Sequence, residues 1–215
     1  MLLEVRAVAP FYKNGFVVGC ERTREAVIID PGDEVDQLMG AVRDLDVEVQ
    51  AILLTHAHID HVTGVGAAKD AYEVPVYLHR DDLFLYERVV DMGRMFGMAV
   101  EPQPPVDRFY APGEEIRFGD CVATPHHTPG HCPGGVCLQI REGQGAGKDL
   151  FVGDTLFAGS IGRTDLPGGD YATLIASIRT VLFAFGDDAR VYPGHGPATT
   201  IGEERRTNPF LTSGV

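Results

Sequence analysis

The chain lacks tryptophan, holds only three lysines (Lys13, Lys69, Lys148) and has four cysteines, Cys20, Cys121, Cys132 and Cys137, with no CxxC pair among them. In 215 residues with no export signal, that cysteine usage speaks against a disulfide framework. A reduced, cytoplasmic protein is the expectation. Long apolar runs are also missing: none approaches the roughly 18 to 20 residues that span a bilayer. The start, Met1-Leu2-Leu3-Glu4, meets a charge at once and offers no apolar targeting core. No membrane partner is expected. Positive charge is scarce, with 18 lysines and arginines against 31 aspartates and glutamates, a formal net charge of -13. Nucleic-acid binding needs a basic surface to meet phosphates, so that class is set aside. The length suits a single domain over residues 1–215, and a hydrophobic share of 44% is ordinary for a globular chain.

What the chain does have is a dense run of ligand-type side chains, Thr55-His56-Ala57-His58-Ile59-Asp60-His61. The preceding Val49-Gln50-Ala51-Ile52-Leu53-Leu54 reads as a buried strand, and the residues from Val62 to about Tyr72 read as a helix. Three imidazoles and a carboxylate in one strand-to-helix loop are costly unless a metal neutralises the charge and orders the rings. The run therefore reads as half of a metal site.

The rest of the pattern supplies a frame. Strands are expected at Leu2 to Val8, Phe16 to Cys20, Ala26 to Ile29 and Val76 to Leu78, with Tyr12-Lys13-Asn14-Gly15 as a turn. Helices are expected from Asp33 or Glu34 to about Leu45 and from Asp81 to about Met95. Residues 100–105 are proline-rich and read as a surface connector. From Arg108 the texture changes to short strands as far as Val152, separated by Gly- and Asp-rich turns. A helix from Asp170 to about Phe185, a strand at Arg190-Val191-Tyr192 and a last helix from Ile201 to about Arg206 follow. Two such halves can each turn a sheet inward and helices outward, an α/β class chain in a four-layer α/β/β/α sandwich.

Three more polar residues stand after expected strands, each beside glycine. They are His131 in Pro129-Gly130-His131, Asp154 after Val152-Gly153, and His195 in Pro193-Gly194-His195-Gly196. A lone histidine in such a loop is more often structural than a ligand. Several in matching settings reverse that reading.

These residues, with Asp30-Pro31-Gly32, occur in the order found in the metallo-β-lactamase-fold hydrolases, which the chain resembles over nearly its whole length. The HxHxDH form is highly specific. The resemblance implies that His56, His58 and His131 bind one metal, that Asp60, His61 and His195 bind a second, and that Asp154 bridges them. Two divalent ions are implied, zinc foremost, with iron or manganese compatible with the same donors. The nucleophile would be a metal-bridging hydroxide, with Asp60 orienting it. The most familiar lactamases use a cysteine ligand, and neither Cys121 nor Cys132 fits that role by position.

The stretch from Gly153 to Asp170 looks like the short relatives of glyoxalase II (hydroxyacylglutathione hydrolase). By that likeness the substrate is a small thioester such as S-D-lactoylglutathione, and Arg163 is a candidate contact for a substrate carboxylate, against the alternative of a pair with Asp165 or Asp170. The C-terminal helical domain of glyoxalase II is not expected here. Arg205, Arg206 and Asn208 are only partial substitutes, so a wider thioester or ester range is open. A second class, the iron-dependent glutathione persulfide dioxygenases, shares the fold and would use His56, His131 and Asp154 alone. Ile161, where that class carries a cysteine, and the run Leu166 to Asp170 favour the hydrolase. Lactone or other ester hydrolysis is a third option. His126 and His127 are read as shaping the loop before His131, His79 as a surface residue, and Thr55 and Asp30 as supports behind the ligand loop.

Overall fold

The computed structural model describes residues 1–143, 145 and 147–212. Six strands form the first sheet in chain order: β1 (Leu2–Arg6), β2 (Gly15–Gly19), β3 (Glu25–Ile29), β4 (Glu48–Leu53), β5 (Val76–Leu78) and β6 (Arg108–Phe109). β1, β2 and β3 pair antiparallel, and β3 to β6 run parallel. The next strands are β7 (Ile116–Phe118), β8 (Cys121–His127), β9 (Val136–Glu142) and β10 (Asp149–Gly153). A separate hairpin, β11 (Leu156–Phe157) and β12 (Ser160–Ile161), precedes β13 (Arg190–Pro193) and β14 (Thr199–Thr200). The second sheet has the order β14-β13-β10-β9-β8-β7, with β10 and β13 the parallel pair.

Alternation along the strands sorts side chains into three apolar layers. On β3, Val27 and Ile29 point to the second sheet, where they meet Phe118, Leu138, Ile140 and Phe151. Ala26 and Ile28 point the other way, onto helices α1 (Val35–Leu45) and α3 (Val65–Tyr72) through Leu38, Val42, Val65 and Ala68. On β10, Phe151 faces the first sheet while Leu150 and Val152 face α6 (Tyr171–Thr180). Phe16 and Phe151 close the middle layer edge to face, with centroids 5.0 Å apart. Helix, sheet, sheet, helix is the four-layer α/β/β/α order expected from the sequence.

Several elements are more broken than the periodicity suggests. The helix after the His run splits into α2 (Ile59–Val62) and α3. At the break a Cβ on Gly64 would lie 2.4 Å from the Gly32 carbonyl oxygen, so the two segments touch backbone to backbone. The expected 81–95 helix is a 3-10 turn at Arg80–Asp82 followed by α4 (Leu83–Tyr86) and α5 (Val89–Met95). The expected 170–185 helix ends at Thr180 and tightens into a 3-10 turn over Leu182–Phe185. The first strand stops at Arg6 instead of Val8. Residues 100–105 are a pinned connector: Tyr86 donates to the Pro104 carbonyl at 2.8 Å, and Gly66 N–H donates to Gln103 at 2.8 Å. α7 (Ile201–Thr207) and α8 (Pro209–Thr212) finish the outer layer. Among the described residues no helix is long and apolar enough to cross a membrane.

Candidate metal centre

β4 delivers the chain into a short segment, bent at Thr55, that ends with His58 extended (φ -70, ψ 153) just before α2. The short turn sets the rings of His56 and His58 edge to face, with centroids 4.8 Å apart. Asp60 and His61 then fall on the first turn of α2. The loop between β8 and β9 adds His131, and donor atoms of His56, His58 and His131 all lie within 4.8 Å of one another. His58 Nδ1 and His131 Nε2 are 2.8 Å apart.

A second group sits beside the first. Asp60, His61 and His195 also bring their donor atoms within 4.8 Å of one another, with His195 following β13. His195 Nε2 is 3.1 Å from Asp60 Oδ2. Asp154, just after β10, stands between the groups. Its Oδ1 is 3.4 Å from His61 Nε2, and its Oδ2 is 3.6 Å from both His131 Nε2 and His195 Nε2. All seven residues expected from the sequence converge on this one point.

Four polar atoms at this point, His56 Nε2, His58 Nε2, His61 Nε2 and Asp154 Oδ1, are buried with no hydrogen-bond partner among the described residues. Leaving one such group unpaired costs about 1–3 kcal/mol. A cation that accepts the lone pairs of His56 Nε2, His61 Nε2 and Asp154 Oδ1 resolves the cost for those three, and His58 turns its Nδ1 to the same point beside His131 Nε2, so the residues fit a metal. The other ring atoms are tied down. His61 Nδ1 donates to Asp30 Oδ2 at 2.9 Å, and Asp30 also accepts from the Thr55 hydroxyl at 2.6 Å and the Thr55 N–H at 2.7 Å. Thr55 Oγ1 is 3.1 Å from His56 Nδ1, and His131 Nδ1 donates to the Arg163 carbonyl at 2.7 Å. With a cation bound, these bonds would leave Nε2 of His56, His61 and His131 as the unprotonated, electron-donating nitrogens.

The electrostatics divide the site. Burial, reinforced by the neighbouring imidazoles, holds His56 well below its usual value and pushes His58 down to about 3. Burial would lower His61 too, but the Asp60, Asp154 and Asp30 carboxylates outweigh it and raise the ring to about 10. Burial works to raise Asp60 and Asp154, and the His61 imidazolium overcomes it and lowers both. The positive charge drawn onto His61 is the charge a bound cation would supply. Glycine makes room for this crowding. A Cβ on Gly194 would sit 2.2 Å from Asp154 Oδ1, and one on Gly162 would sit 1.8 Å from the Asp154 carbonyl oxygen.

Three further residues hold the site and leave little trace in the sequence. Asp82 is fully buried, and it accepts from the Ala57 N–H at 3.0 Å, the Cys132 thiol at 3.1 Å and the Gly134 N–H at 2.6 Å. It thus joins the two loops that carry His56, His58 and His131. Asn14 donates to the carbonyls of Pro193 (3.0 Å) and Gly196 (2.8 Å), fixing the loop of His195. Lys13, which reads as a turn residue, is 1% exposed and donates to the Asp30 carbonyl and to Glu34.

The remaining candidates fall outside the cluster. His126 bonds Gln139 at 2.9 Å, and His127 bonds the Pro133 carbonyl at 2.8 Å and stacks on His79. Arg163 forms a bidentate pair with Asp165, both contacts at 2.7 Å, while lining a cavity of ≈ 240 Å³ beside the cluster. Arg205, Arg206 and Asn208 lie on or just after α7, where they meet Asp187, Glu203 and Glu204, and do not line that cavity.

Known proteins share this chain's sequence pattern and fold. Residues 8–195 match the family model described as Metallo-beta-lactamase superfamily. The hydroxyacylglutathione hydrolase GloC of Haemophilus influenzae is 38% identical over 215 residues, covering 99% of both chains. Among solved structures, the BLEG-1 B3 metallo-beta-lactamase aligns with a TM-score of 0.89 at 37% identity, over 98% of this chain and 100% of that one. TTHA1623, solved in a di-iron-bound form, aligns with a TM-score of 0.84 at 42% identity, over 97% of this chain and 100% of that one. With the sandwich, the ligand order and these likenesses in agreement, the chain belongs to the metallo-beta-lactamase superfamily of metallo-hydrolases.

Proposed function

We propose that the protein is a dinuclear metal-dependent hydrolase of thioesters of the S-D-lactoylglutathione type. The orphaned nitrogens of His56 and His61 carry this reading together with the unpaired Asp154 Oδ1. In it, His56, His58 and His131 hold one divalent ion, Asp60, His61 and His195 hold a second, and Asp154 lies between. Zinc suits the nitrogen and oxygen donors best, with iron or manganese as alternatives. Such a pair of ions supplies Lewis acidity and a water that ionises near about pH 7.

The chain's own residues do the rest. Asp60 lines the cavity and orients the attacking water by accepting its hydrogen bond. Asp30 and Thr55 keep the ring nitrogens behind it in their donating form. No thiol nucleophile competes, because burial and the adjacent Asp82 push the Cys132 thiol well above its ordinary value. The likeness to a hydroxyacylglutathione hydrolase supports a thioester substrate. The iron-triad alternative shares this ligand-type motif, and Ile161, where that class carries a cysteine, together with the run Leu166 to Asp170 favours the hydrolase.

The test is to purify the protein, count its metals, and follow thiol release from S-D-lactoylglutathione, with simple esters and lactones in parallel. Thioester turnover that a chelator abolishes and zinc restores supports the proposal. A single iron, oxygen uptake on glutathione persulfide and no thioesterase activity would overturn it in favour of the dioxygenase.

A further inference from the structure

The wall of the cavity facing the ligand cluster is apolar. Phe11 from the β1–β2 connection, Ile59 on α2, Met92 on α5, Phe96 just after α5, and Leu166 converge on it. Phe96 is 53% exposed, and its neighbour Met95, at 78%, stands among the most exposed large apolar side chains of the chain. Apolar surface gathered beside a catalytic cavity is a binding feature in its own right. The charges on the lining point the same way. Arg163 is the one cation that lines the cavity among the described residues, and its guanidinium is already matched by Asp165 in a two-pronged pair. The other lining charges, Asp60 and Asp154, belong to the ligand cluster. A glutathione carboxylate could recruit Arg163 only by exchanging it from Asp165, whereas the five apolar side chains of the wall need no such exchange.

We infer that the site selects thioesters whose group next to the scissile bond is apolar and uncharged, seated on the wall of Phe11, Ile59, Met92, Phe96 and Leu166. The inference rests on the hydrolase chemistry proposed above and departs from it in the thioester preferred, since S-D-lactoylglutathione pairs a polar acyl group with a charged thiol. The apolar group can enter on the acyl side or on the leaving-thiol side. Both present the same chemistry to the wall.

The experiment crosses two acyl groups, lactoyl and octanoyl, with two thiols, glutathione and the uncharged N-acetylcysteamine, on the metal-loaded protein. The expected result is a kcat/KM at least roughly tenfold higher for the more apolar member of one pair. The pair that gives the gain identifies the side that the wall holds. Phe96→Ala and Met92→Ala should each remove most of that gain through KM, while Arg163→Ala should leave the order of preference intact. Calorimetry of octanoate against glutathione reads the wall without turnover, and octanoate should bind more tightly. Preference for the glutathione thioesters, lost in Arg163→Ala, would overturn the inference and leave the hydrolase reading standing. Tighter octanoate binding with no thioester hydrolysis would do the reverse. Absence of both would overturn both.

Discussion

In the first half of the chain, His56, His58, Asp60 and His61 come from one short turn between β4 and α2. In the second half, His131, Asp154 and His195 come one at a time from the loops after β8, β10 and β13. The first half gathers its ligand-type side chains locally, within the short turn after β4 and the first turn of α2. The second half has no such local device. Its loops are glycine-rich so that backbone and side chains can crowd together, and they are fixed from outside. The fixing comes from the first half, where Asp82 bonds the Gly134 N–H and the Cys132 thiol, and Asn14 bonds the Pro193 and Gly196 carbonyls. The compact motif therefore brings ligands, while distant side chains of the same half position their partners.

Asp154 is where the comparison breaks most sharply, since its carboxylate oxygens approach His131 in one donor group and His61 and His195 in the other. Asp154→Ala should cost both ions and reduce turnover to background, read by elemental analysis and the thioester assay. Retention of two ions would show that each half holds its own metal unaided. Asp82→Ala should come next. It leaves two buried N–H groups and a thiol without an acceptor across the junction of the halves, a loss of about 2–4 kcal/mol in urea denaturation. Asp82→Asn, which keeps one acceptor, should recover part of it.

Asp30→Ala acts on the first half alone. It frees His61 Nδ1 and the Thr55 hydroxyl, and metal affinity should fall about 10- to 100-fold in a chelator competition. Asn14→Ala is the matching change for the second half, with about 1–2 kcal/mol lost in thermal unfolding as the His195 loop loosens. The smallest effect belongs to Arg163→Ala. Its pair with Asp165 is exposed on both sides, so stability should stay within about 0.5 kcal/mol.

The same contrast explains what could be read in advance. The cluster of ligand-type side chains was legible because metal chemistry restricts residue type and spacing, and the sandwich was legible because strands such as β3 and β10 alternate cleanly between two apolar layers. Asp30 and Thr55 could be read as supports because they adjoin motifs. Asp82, Asn14 and Lys13 could not, since each acts through contacts made only when distant segments meet. Asp82 also looks like an ordinary residue at a helix start. Its side chain is instead drawn inward to the ligand loops, and the expected helix over 81–95 begins there as a 3-10 turn. Arg163 had two readings of equal weight, a substrate contact or a structural pair. The bidentate contact with Asp165 is the pair, while its carbonyl serves the site by holding His131.

The central claim is one site built by two halves around two ions, and metal stoichiometry tests it most directly. Two divalent ions per chain are predicted for the unaltered protein, and one for Asp60→Ala and for His195→Ala, which remove donors of the same group from opposite halves. One ion per chain in all three proteins, or two in either variant, would contradict it.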